Sequence, residues 1–412
     1  MTGALKPGWP GNVSLKYEVF FFMVSLGIEQ LIQALPDWLV GKRLGLLCNQ
    51  ASCDSKLRHS RDLIHQRFPG QLTCLFSPQH GFYAEKQDNM IESGHAVDPV
   101  TGVPVFSLYG QERRPTPAMF DHLDVLLVDL VDVGTRVYTF LYTLAYCLEV
   151  AAQLDKLVVV LDRPNPIGGQ AVEGNLLNVD SCASFVGLYP IPMRHGLTFA
   201  ELALLLNDRF GIGARLETIA MQGWQRRMYF SDTGLPWVFP SPNMPTPLTA
   251  LVYPGQVIWE GTNISEGRGT TLPFELLGAP FLDYQLVLAG LANIHLPGCY
   301  LRPIAFEPTS NKWQGRECYG FHVHVINRQE FRPYRTSLAL LQTIIRLYPD
   351  DFQYKVPPYE YEFERLPLDL ILGDREVRMA IADGFDLLEL EKSWESGLLE
   401  FEATRKKYLL YA

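Results

Sequence analysis

The 412-residue chain lacks the short motifs that mark several large enzyme classes. No G-x-G-x-x-G follows a predicted strand and no Walker A loop is present, so the sequence carries no dinucleotide or nucleoside triphosphate fingerprint. A G-x-S-x-G elbow is also missing, which argues against a serine hydrolase. Neither H-E-x-x-H nor C-x-x-C occurs, and we predict no bound metal and no cofactor.

Positive charge and long apolar runs are also scarce. Lys and Arg number 35 against 45 Asp and Glu, which leaves a net charge of −10. Because phosphate binding needs a concentrated basic face, we expect no nucleic-acid partner. The apolar run at residues 19–26 is far too short to span a membrane and lacks the cleavage site of a signal peptide. We therefore expect no membrane partner and a protein that stays in the cytoplasm.

Cysteine and histidine do not form patterns typical of disulfides or metal sites. The seven cysteines are odd in number and scattered, and Cys48, Cys74 and Cys147 lie within apolar runs. This distribution is typical of reduced core residues in a cytosolic protein. His322 and His324 are two apart on a predicted strand and share one face, but no third ligand accompanies them. We interpret them as surface or interface histidines.

What the chain does have is an alternation of strand and helix patterns from residue 43 onward. The clearest unit is residues 123–140, LDVLLVDLVDVGTRVYTF, in which a buried strand ends in a polar turn and feeds a helix over residues 137–154. Such alternation predicts a right-handed, mostly parallel sheet with helices on both faces. The predicted strands are residues 18–27, 43–48, 72–76, 103–108, 124–129 and 157–161.

The second half mixes strands and helices without this rhythm. The proline-rich residues 236–254 are predicted to form an extended wall, neither a helix nor a central strand. The predicted fold class is α/β, with a Rossmann-like, mostly parallel sheet domain followed by a smaller α+β domain. We place a loose leader at residues 1–16, the sheet domain at residues 17–250 and the smaller domain at residues 251–412.

Polar side chains follow most of the predicted strands. Open α/β sheets bind ligands at the carboxyl ends of their strands, so the convergence of these side chains predicts a site there. Taken singly, each has an ordinary structural explanation as a turn, a cap or an ion pair. The candidates at this edge are Asn49, Gln79, His80, Asp129, Asp132, Arg136, Asp162, Arg163 and Asn165, with His195 before a helix and Asn243 in the proline-rich run.

A glycine-rich loop at residues 261–271, GTNISEGRGTT, is the sharper signal. Arg268 between two glycines places a planar cation on a tightly turning backbone, an arrangement that suits a carboxylate or sugar hydroxyls. The alternative is a solvated interdomain loop held by ion pairs of Arg268, and both interpretations stay open here. The candidates in and beside this loop are Glu260, Asn263, Glu266 and Arg268.

Long phrases of the sequence resemble the exo-β-N-acetylmuramidase family, formerly a domain of unknown function, DUF1343. They are SPQHG (77–81), TGVPVFSLYG (101–110), DLVDVGTRVYTF (129–140), VLDRPNPIGG (160–169), PIPMRHGLT (190–198), PSPNMPT (240–246), YPG (253–255) and EGTNISEGRGTTLPFELLGAP (260–280). The resemblance, over about residues 27–411, implies a hydrolase that releases N-acetylmuramic acid from the non-reducing end of peptidoglycan fragments. It implies a site between the domains and a muropeptide partner, in a monomer or homodimer.

One position departs from the family pattern. Gln79 stands where the family motif reads Pro-Glu-His-Gly, and the resemblance implies that this glutamate is the catalytic acid. Because glutamine cannot release a proton, a working glycosidase would need another acid, for which Glu92 and Asp132 are the candidates beside Gln79 and His80. Family members are often exported, whereas here internalised wall fragments would be the substrate.

Two further interpretations remain. The chain would be a catalytically degenerate sugar-binding protein if the cleft persists without its chemistry. It would be a transferase or phosphosugar enzyme if the same edge held a nucleotide, against which the missing phosphate loop counts.

Overall fold

The computed structural model describes residues 24–34 and 36–412. Its strands are β1 (Leu44–Cys48), β2 (Leu72–Ser77), β3 (Ala96–Val97), β4 (Pro104–Ser107), β5 (Val125–Asp129), β6 (Leu157–Leu161), β7 (Glu173–Leu176), β8 (Pro192–Arg194), β9 (Arg215–Ile219), β10 (Leu276–Ala279), β11 (Cys299–Phe306) and β12 (Cys318–Val325). Its α-helices are α1 (Gly27–Gln33), α2 (Ser60–Arg67), α3 (Pro117–Phe120), α4 (Phe140–Gln153), α5 (Val179–Cys182), α6 (Phe199–Arg209), α7 (Pro247–Gln256), α8 (Tyr284–Leu291), α9 (Pro333–Leu347), α10 (Pro367–Leu372), α11 (Arg375–Ala382) and α12 (Leu387–Arg405). Short 3₁₀ helices occupy Asp37–Leu39, Phe230–Asp232, Val257–Gly261 and Lys406–Tyr408.

The first half folds around a seven-stranded sheet in the order β3-β4-β2-β1-β5-β6-β9. Every neighbouring pair is parallel except β3 and β4 at one edge. Strands β1 and β5 are buried along their whole length, because their apolar runs face helices on both sides. The α/β prediction is confirmed.

The two faces of the sheet pack into different cores. One face packs with α1 and α2, and Leu46, Ile64 and Leu31 belong to this core. The other face packs with α4 and α6 in a much larger core that continues into the C-terminal half. Apolar burial on both faces holds the carboxyl ends of the strands in one line, and this line becomes one wall of the site.

The C-terminal half is the smaller α+β region that the sequence predicts. Its antiparallel sheet has the order β10-β12-β11, and α8 packs against both β12 and α9. Helix α7 spans residue 250, so the predicted division between the domains falls within a helix and stays a prediction. Among the described residues, no helix combines the length and the apolar content needed to cross a bilayer.

The proline-rich wall is only partly extended, and the prediction that it contains no helix is wrong. Helix α7 begins inside it at Pro247, where the missing amide hydrogen of proline costs no intrahelical bond. Thr246 accepts a hydrogen bond from the Thr249 amide and caps this helix. Pro254 lies inside the helix, which ends two residues later, at Gln256.

The first predicted strand, residues 18–27, is also wrong over the part that the structure describes. Ser25 forms a single bridge with Gln222, and Gly27 begins α1. A side chain at Gly27 would meet the backbone nitrogen of Asp162 at 2.3 Å, so glycine permits the helix to dock closely on the end of β6. Residues 18–23 and the predicted leader, residues 1–16, lie outside the described residues.

Arg136 joins the two halves of the chain through the backbone. Its side chain is fully buried, and it donates hydrogen bonds to the carbonyl oxygens of Asn175 and Ile191 at 2.9 and 3.1 Å. The same guanidinium donates to the carbonyl oxygens of Ile371 and Leu372 at 3.1 and 2.8 Å. It therefore supplies a donor to four buried carbonyl groups. Two of them also accept elsewhere, Ile191 from the Leu177 amide and Leu372 from the Asn175 side chain.

We expect Arg136→Met to lower the free energy of unfolding by about 3 kcal/mol or more, because it leaves buried carbonyl groups without donors. Urea unfolding at neutral pH measures the loss. Arg43→Met is the matched control, since the Arg43–Asp124 pair is exposed and solvent screens it. Equal stability of the two variants would contradict the role given to Arg136.

Candidate active site

A polar cavity lies between the carboxyl edge of the large sheet and the C-terminal half. It holds about 450 Å³ of empty space, part of it open to solvent. The polar and aromatic lining comes from the turn after β2, the start of α4, the proline-rich segment, the glycine-rich loop and a segment before α10. These residues are Gln79, His80, Asn89, Tyr138, Thr139, Phe140, Ser241, Asn243, Tyr253, Glu260, Arg268, Phe274, Tyr359 and Glu360.

Glu360 contributes a buried carboxyl group to this cavity. Only 3% of the residue is exposed. Gln79 donates from Nε2 to Oε1 of Glu360 at 3.0 Å, and the Tyr109 hydroxyl donates to Oε2 at 2.7 Å. Burial raises the pKa of Glu360 to about 7, although these two hydrogen bonds favour its ionised form.

The amide of Gln79 has a defined orientation. The Thr139 hydroxyl donates to Oε1 of Gln79, so the Nε2 group must face the other way. That group reaches the Tyr109 hydroxyl at 3.1 Å as well as Glu360. Gln79 thus donates a hydrogen bond to Glu360 and does not accept the Glu360 proton.

The second carboxyl group of the cavity, Glu260, has a cation of its own. Arg268 donates from Nη2 to Oε1 of Glu260 at 2.6 Å, and the Tyr359 hydroxyl donates to Oε2 at 2.6 Å. Burial alone would raise the pKa of Glu260, but the adjacent guanidinium outweighs it and holds the pKa below its usual value. Glu260 is therefore ionised where Glu360 is half protonated at neutral pH.

Arg268 is held from its far side as well. Its Nε lies 3.2 Å from Oε1 of Glu266, and Lys312 donates to Oε2 of Glu266 at 2.6 Å. The ion pairs that the sequence left as an alternative therefore form, with both Glu260 and Glu266. These ion pairs do not use every donor of the guanidinium, because Nη1 of Arg268 is buried without a partner among the described residues. The Tyr138 hydroxyl on the cavity wall is in the same state.

The backbone around the cavity is held in sparsely populated conformations. His80, Phe274, Glu360 and Tyr361 have φ values of 74°, 61°, 46° and 65°, although none of them is glycine. Left-handed backbone at such residues persists only where surrounding contacts impose it, and it concentrates at functional sites. Burial also lowers the pKa of His80 to about 4, so its imidazole is neutral at physiological pH.

Several residues predicted from the sequence meet in this cavity. Gln79 and His80 follow β2, as the strand-end argument requires. Asn243 lies in the proline-rich segment and donates to the Gln87 carbonyl oxygen at 3.1 Å. The remaining members are Glu260 and Arg268, with Glu266 directly behind Arg268.

Other strand-end candidates are used for structure instead. Arg163 forms a bidentate pair with Asp129 at 2.5 and 2.8 Å. Asp162 accepts hydrogen bonds from Thr198 at 2.8 Å and from Tyr411 at 2.6 Å, and so fixes a helix start and the end of the chain. The other candidates bonded mainly to backbone groups outside the cavity are Asn49, Arg136, Asn165 and Asn263.

Neither residue predicted as a replacement acid lines the cavity. Glu92 is exposed. Asp132 is buried, accepts from the Gly134 amide at 2.6 Å and lies 3.3 Å from Nε2 of His195. His195 accepts from the Leu197 amide at 3.2 Å through Nδ1 and does not line the cavity.

The sequence reasoning missed Glu360, Tyr109, Thr139, Tyr359 and Asn89. Glu360 follows no predicted strand, and the signal around it is weak: a glutamate between tyrosines after two prolines, PPYEYE at residues 357–362. Tyr109 and Thr139 lie within phrases that carry the family resemblance, but no role was predicted for these side chains or for Tyr359 and Asn89. Only their contacts with Gln79, Glu260 and Glu360 give them one.

No group of three or more His, Cys, Asp or Glu side chains with the geometry of a metal site occurs within residues 24–34 and 36–412. The rings of His322 and His324 are tilted by 46° with centroids 3.9 Å apart, and Nε2 of His322 lies 3.8 Å from Glu275. Glu275 already accepts from Thr246 and Thr249. The two histidines are outside the cavity.

Two carboxyl groups whose environments shift their pKa values in opposite directions, in a cleft with tyrosine and arginine, are typical of glycosidases. The chain matches the family model described as "Exo-beta-N-acetylmuramidase NamZ, N-terminal" over residues 44–248 and the C-terminal model over residues 251–411. It therefore belongs to the exo-β-N-acetylmuramidase family, and the resemblance seen in the sequence is confirmed.

Individual relatives agree with this assignment. The chain is 44% identical over 388 residues to the peptidoglycan β-N-acetylmuramidase NamZ of Bacillus subtilis strain 168, covering 94% of this chain and 91% of that protein. A DUF1343 family crystal structure from Bacteroides fragilis matches with a TM-score of 0.85 and 32% identity, covering 95% of this chain and 99% of that one. A second from the same organism has a TM-score of 0.72 and 28% identity, with 94% and 99% covered.

The raised pKa of Glu360 makes stability depend on pH. The folded protein holds this proton with a pKa of about 7 against an ordinary value of 4.5. The resulting contribution to stability is complete below about pH 4.5 and is lost as the pH rises through about 7. Glu360→Gln removes this titration.

We therefore expect the wild-type protein to lose unfolding free energy relative to Glu360→Gln between pH 5 and pH 8, measured by urea unfolding. Asp162 and Glu173, whose pKa values burial also raises, titrate in both proteins and cancel. A difference that does not change with pH would contradict the assignment.

Proposed function

We propose that this chain releases N-acetylmuramic acid from the non-reducing end of peptidoglycan fragments and that the sugar binds in the polar cavity. Its relative from Bacillus subtilis is named a peptidoglycan β-N-acetylmuramidase. The observation that carries the proposal is the carboxyl pair, Glu260 ionised beside Arg268 and Glu360 able to hold a proton. Glycoside hydrolysis commonly uses two carboxyl groups of this kind.

The lactyl carboxylate of muramic acid gives the cavity its specificity in this proposal. Nη1 of Arg268 is a buried donor without a partner among the described residues, and a carboxylate from the ligand would complete it. The guanidinium is also fixed by Glu260 and Glu266, so little side-chain entropy is lost when the ligand binds. Glucosamine derivatives lack the lactyl group and leave this donor unpaired.

We also propose a cytoplasmic role on internalised wall fragments, as part of cell wall recycling, for a monomer or a homodimer. All seven cysteines are free and most are buried, which suits a reducing compartment. Light scattering of the purified protein distinguishes the two oligomeric states.

Gln79 supports a second candidate, a protein that binds N-acetylmuramic acid without cleaving it. The family resemblance places a catalytic acid at this position, and an amide cannot replace it. Under this alternative, calorimetry would detect binding of the sugar while no glycoside is cleaved.

The direct test is hydrolysis of 4-nitrophenyl β-N-acetylmuraminide by the purified protein. We expect turnover of this compound and much less of the matching glucosaminide. Activity should survive exhaustive chelation and desalting, because carboxyl catalysis needs neither a metal nor a nucleotide. Dependence on added Zn²⁺ or NAD would overturn the mechanism, and binding without turnover would favour the second candidate.

Arg268→Lys tests the specificity proposal while keeping a positive charge beside Glu260. Lysine cannot present the planar pair of donors, so we expect muraminide binding to weaken by about 1.5–3 kcal/mol, or about 10- to 150-fold. Binding of N-acetylglucosamine should change little. Arg302→Lys, at an exposed position on β11, is the control. Equal losses for both sugars would mean that Arg268 does not recognise the lactyl group.

A further inference from the structure

We infer that Glu360 is the catalytic acid of this chain, the group that protonates the glycosidic oxygen in place of the residue lost at Gln79. The inference rests on the proposed function, since it names the proton donor of the same reaction. Its basis is the geometry of the cavity, and a sequence comparison of position 79 alone does not reveal it.

The position of Glu360 fits a proton donor better than that of the other candidates. Its carboxyl lines the cavity and is bonded directly to Gln79, so it lies one hydrogen bond away from the place that a glutamate carboxyl at residue 79 would use. Glu92 is exposed and Asp132 accepts from the Gly134 amide, and neither lines the cavity. Glu260 does line it, but its ion pair with Arg268 keeps it ionised, so it has no proton to donate.

The backbone holds Glu360 where it is. Consecutive left-handed residues, Glu360 and Tyr361, turn the chain sharply at the cavity wall. The turn is closed by paired backbone hydrogen bonds of 2.9 Å between Tyr359 and Glu362. An imposed conformation of this kind keeps a side chain in one place relative to a ligand, which general acid catalysis requires.

Gln79 becomes a positioning residue in this arrangement. Thr139 fixes its amide so that Nε2 points at Glu360. Together with Tyr109, this leaves each oxygen of the Glu360 carboxyl with one donor from the protein. The carboxyl plane is therefore set from two sides, and a second lone-pair direction on each oxygen remains for the proton and the substrate.

The surroundings of Glu360 keep it able to carry a proton near neutral pH. The titratable groups that face it are Glu260, Arg268, Tyr109, Tyr253, Tyr359 and Tyr361. Burial, with a smaller contribution from the charge of Glu260, raises its pKa, the hydrogen bonds and the charge of Arg268 oppose this, and the net result is a pKa of about 7. A general acid is most effective when its pKa lies close to the working pH.

The step balances without a cofactor. Glu360 transfers its proton to the glycosidic oxygen while the bond between that oxygen and C1 of muramic acid breaks. The ionised Glu260 stabilises the positive charge that develops on the sugar ring. Water then adds to C1 and releases one proton, Glu360 is reprotonated, and the net reaction consumes one water molecule.

The test compares two leaving groups with Glu360→Gln. In a disaccharide with N-acetylmuramic acid at its non-reducing end, the leaving oxygen is a poor leaving group and must be protonated. The 2,4-dinitrophenolate of an aryl muraminide is stable as an anion and leaves without a proton. We expect kcat/KM to fall by at least about 100-fold on the disaccharide and by much less on the aryl compound. Wild-type kcat on the disaccharide should fall above about pH 7, and this limb should be absent with the aryl compound.

Two further variants keep the result interpretable. Glu364→Gln, exposed on the same segment, should match the wild type. The double variant Gln79→Glu, Glu360→Gln exchanges the two groups across their hydrogen bond, and it should recover part of the disaccharide activity. Recovery shows that the loss in Glu360→Gln came from the missing proton and not from damage to the fold.

Three results would overturn the inference. They are no loss in Glu360→Gln, an equal loss on both substrates with no recovery in the double variant, or a leaving-group-dependent loss in Glu92→Gln or Asp132→Asn instead. If any of these three results is found while the wild-type protein still cleaves muraminides, only the role of Glu360 is wrong and the proposed function stands. A wild-type protein that cleaves neither substrate overturns the proposed function, and the role of Glu360 with it.

Discussion

Two carboxyl groups share one cavity, and only one of them has a guanidinium beside it. This difference sets the pKa values of the two carboxyl groups apart. Arg268 keeps Glu260 ionised, and the charge of Glu260 in turn makes ionisation of the buried Glu360 harder. The strained backbone, the fixed amide of Gln79 and the second anchor of Arg268 at Glu266 all serve to hold these groups at their positions.

The architecture could be predicted because it follows from local patterns. Apolar runs of five or six residues between polar turns specify the buried parallel strands. The errors occur where local rules are overridden. Proline is excluded from helix interiors on average, yet the last turn of α7 contains Pro254. The edge strand β9 was missed because half-exposed residues leave little apolar signal.

The site was predictable only in outline. The rule that ligands bind at the carboxyl ends of parallel strands places Gln79 and His80 in the cavity. The same rule selects Asp162 and Arg163, which stabilise the fold instead. A charged group at a sheet edge needs a partner whether or not a ligand is present, and the sequence does not reveal which partner it finds. Glu360 lies 281 positions from Gln79. A contact of that range leaves no trace in the periodicity or spacing of either segment.

The larger apolar core described with the fold is continuous. Leu144 beneath the sheet, Trp259 after α7 and Leu340 in α9 all belong to it. A chain cut near residue 250 would therefore expose apolar core residues on both fragments, and such exposed patches favour aggregation. The cleft is thus a groove over one continuous apolar core, more than a gap between two separately packed bodies.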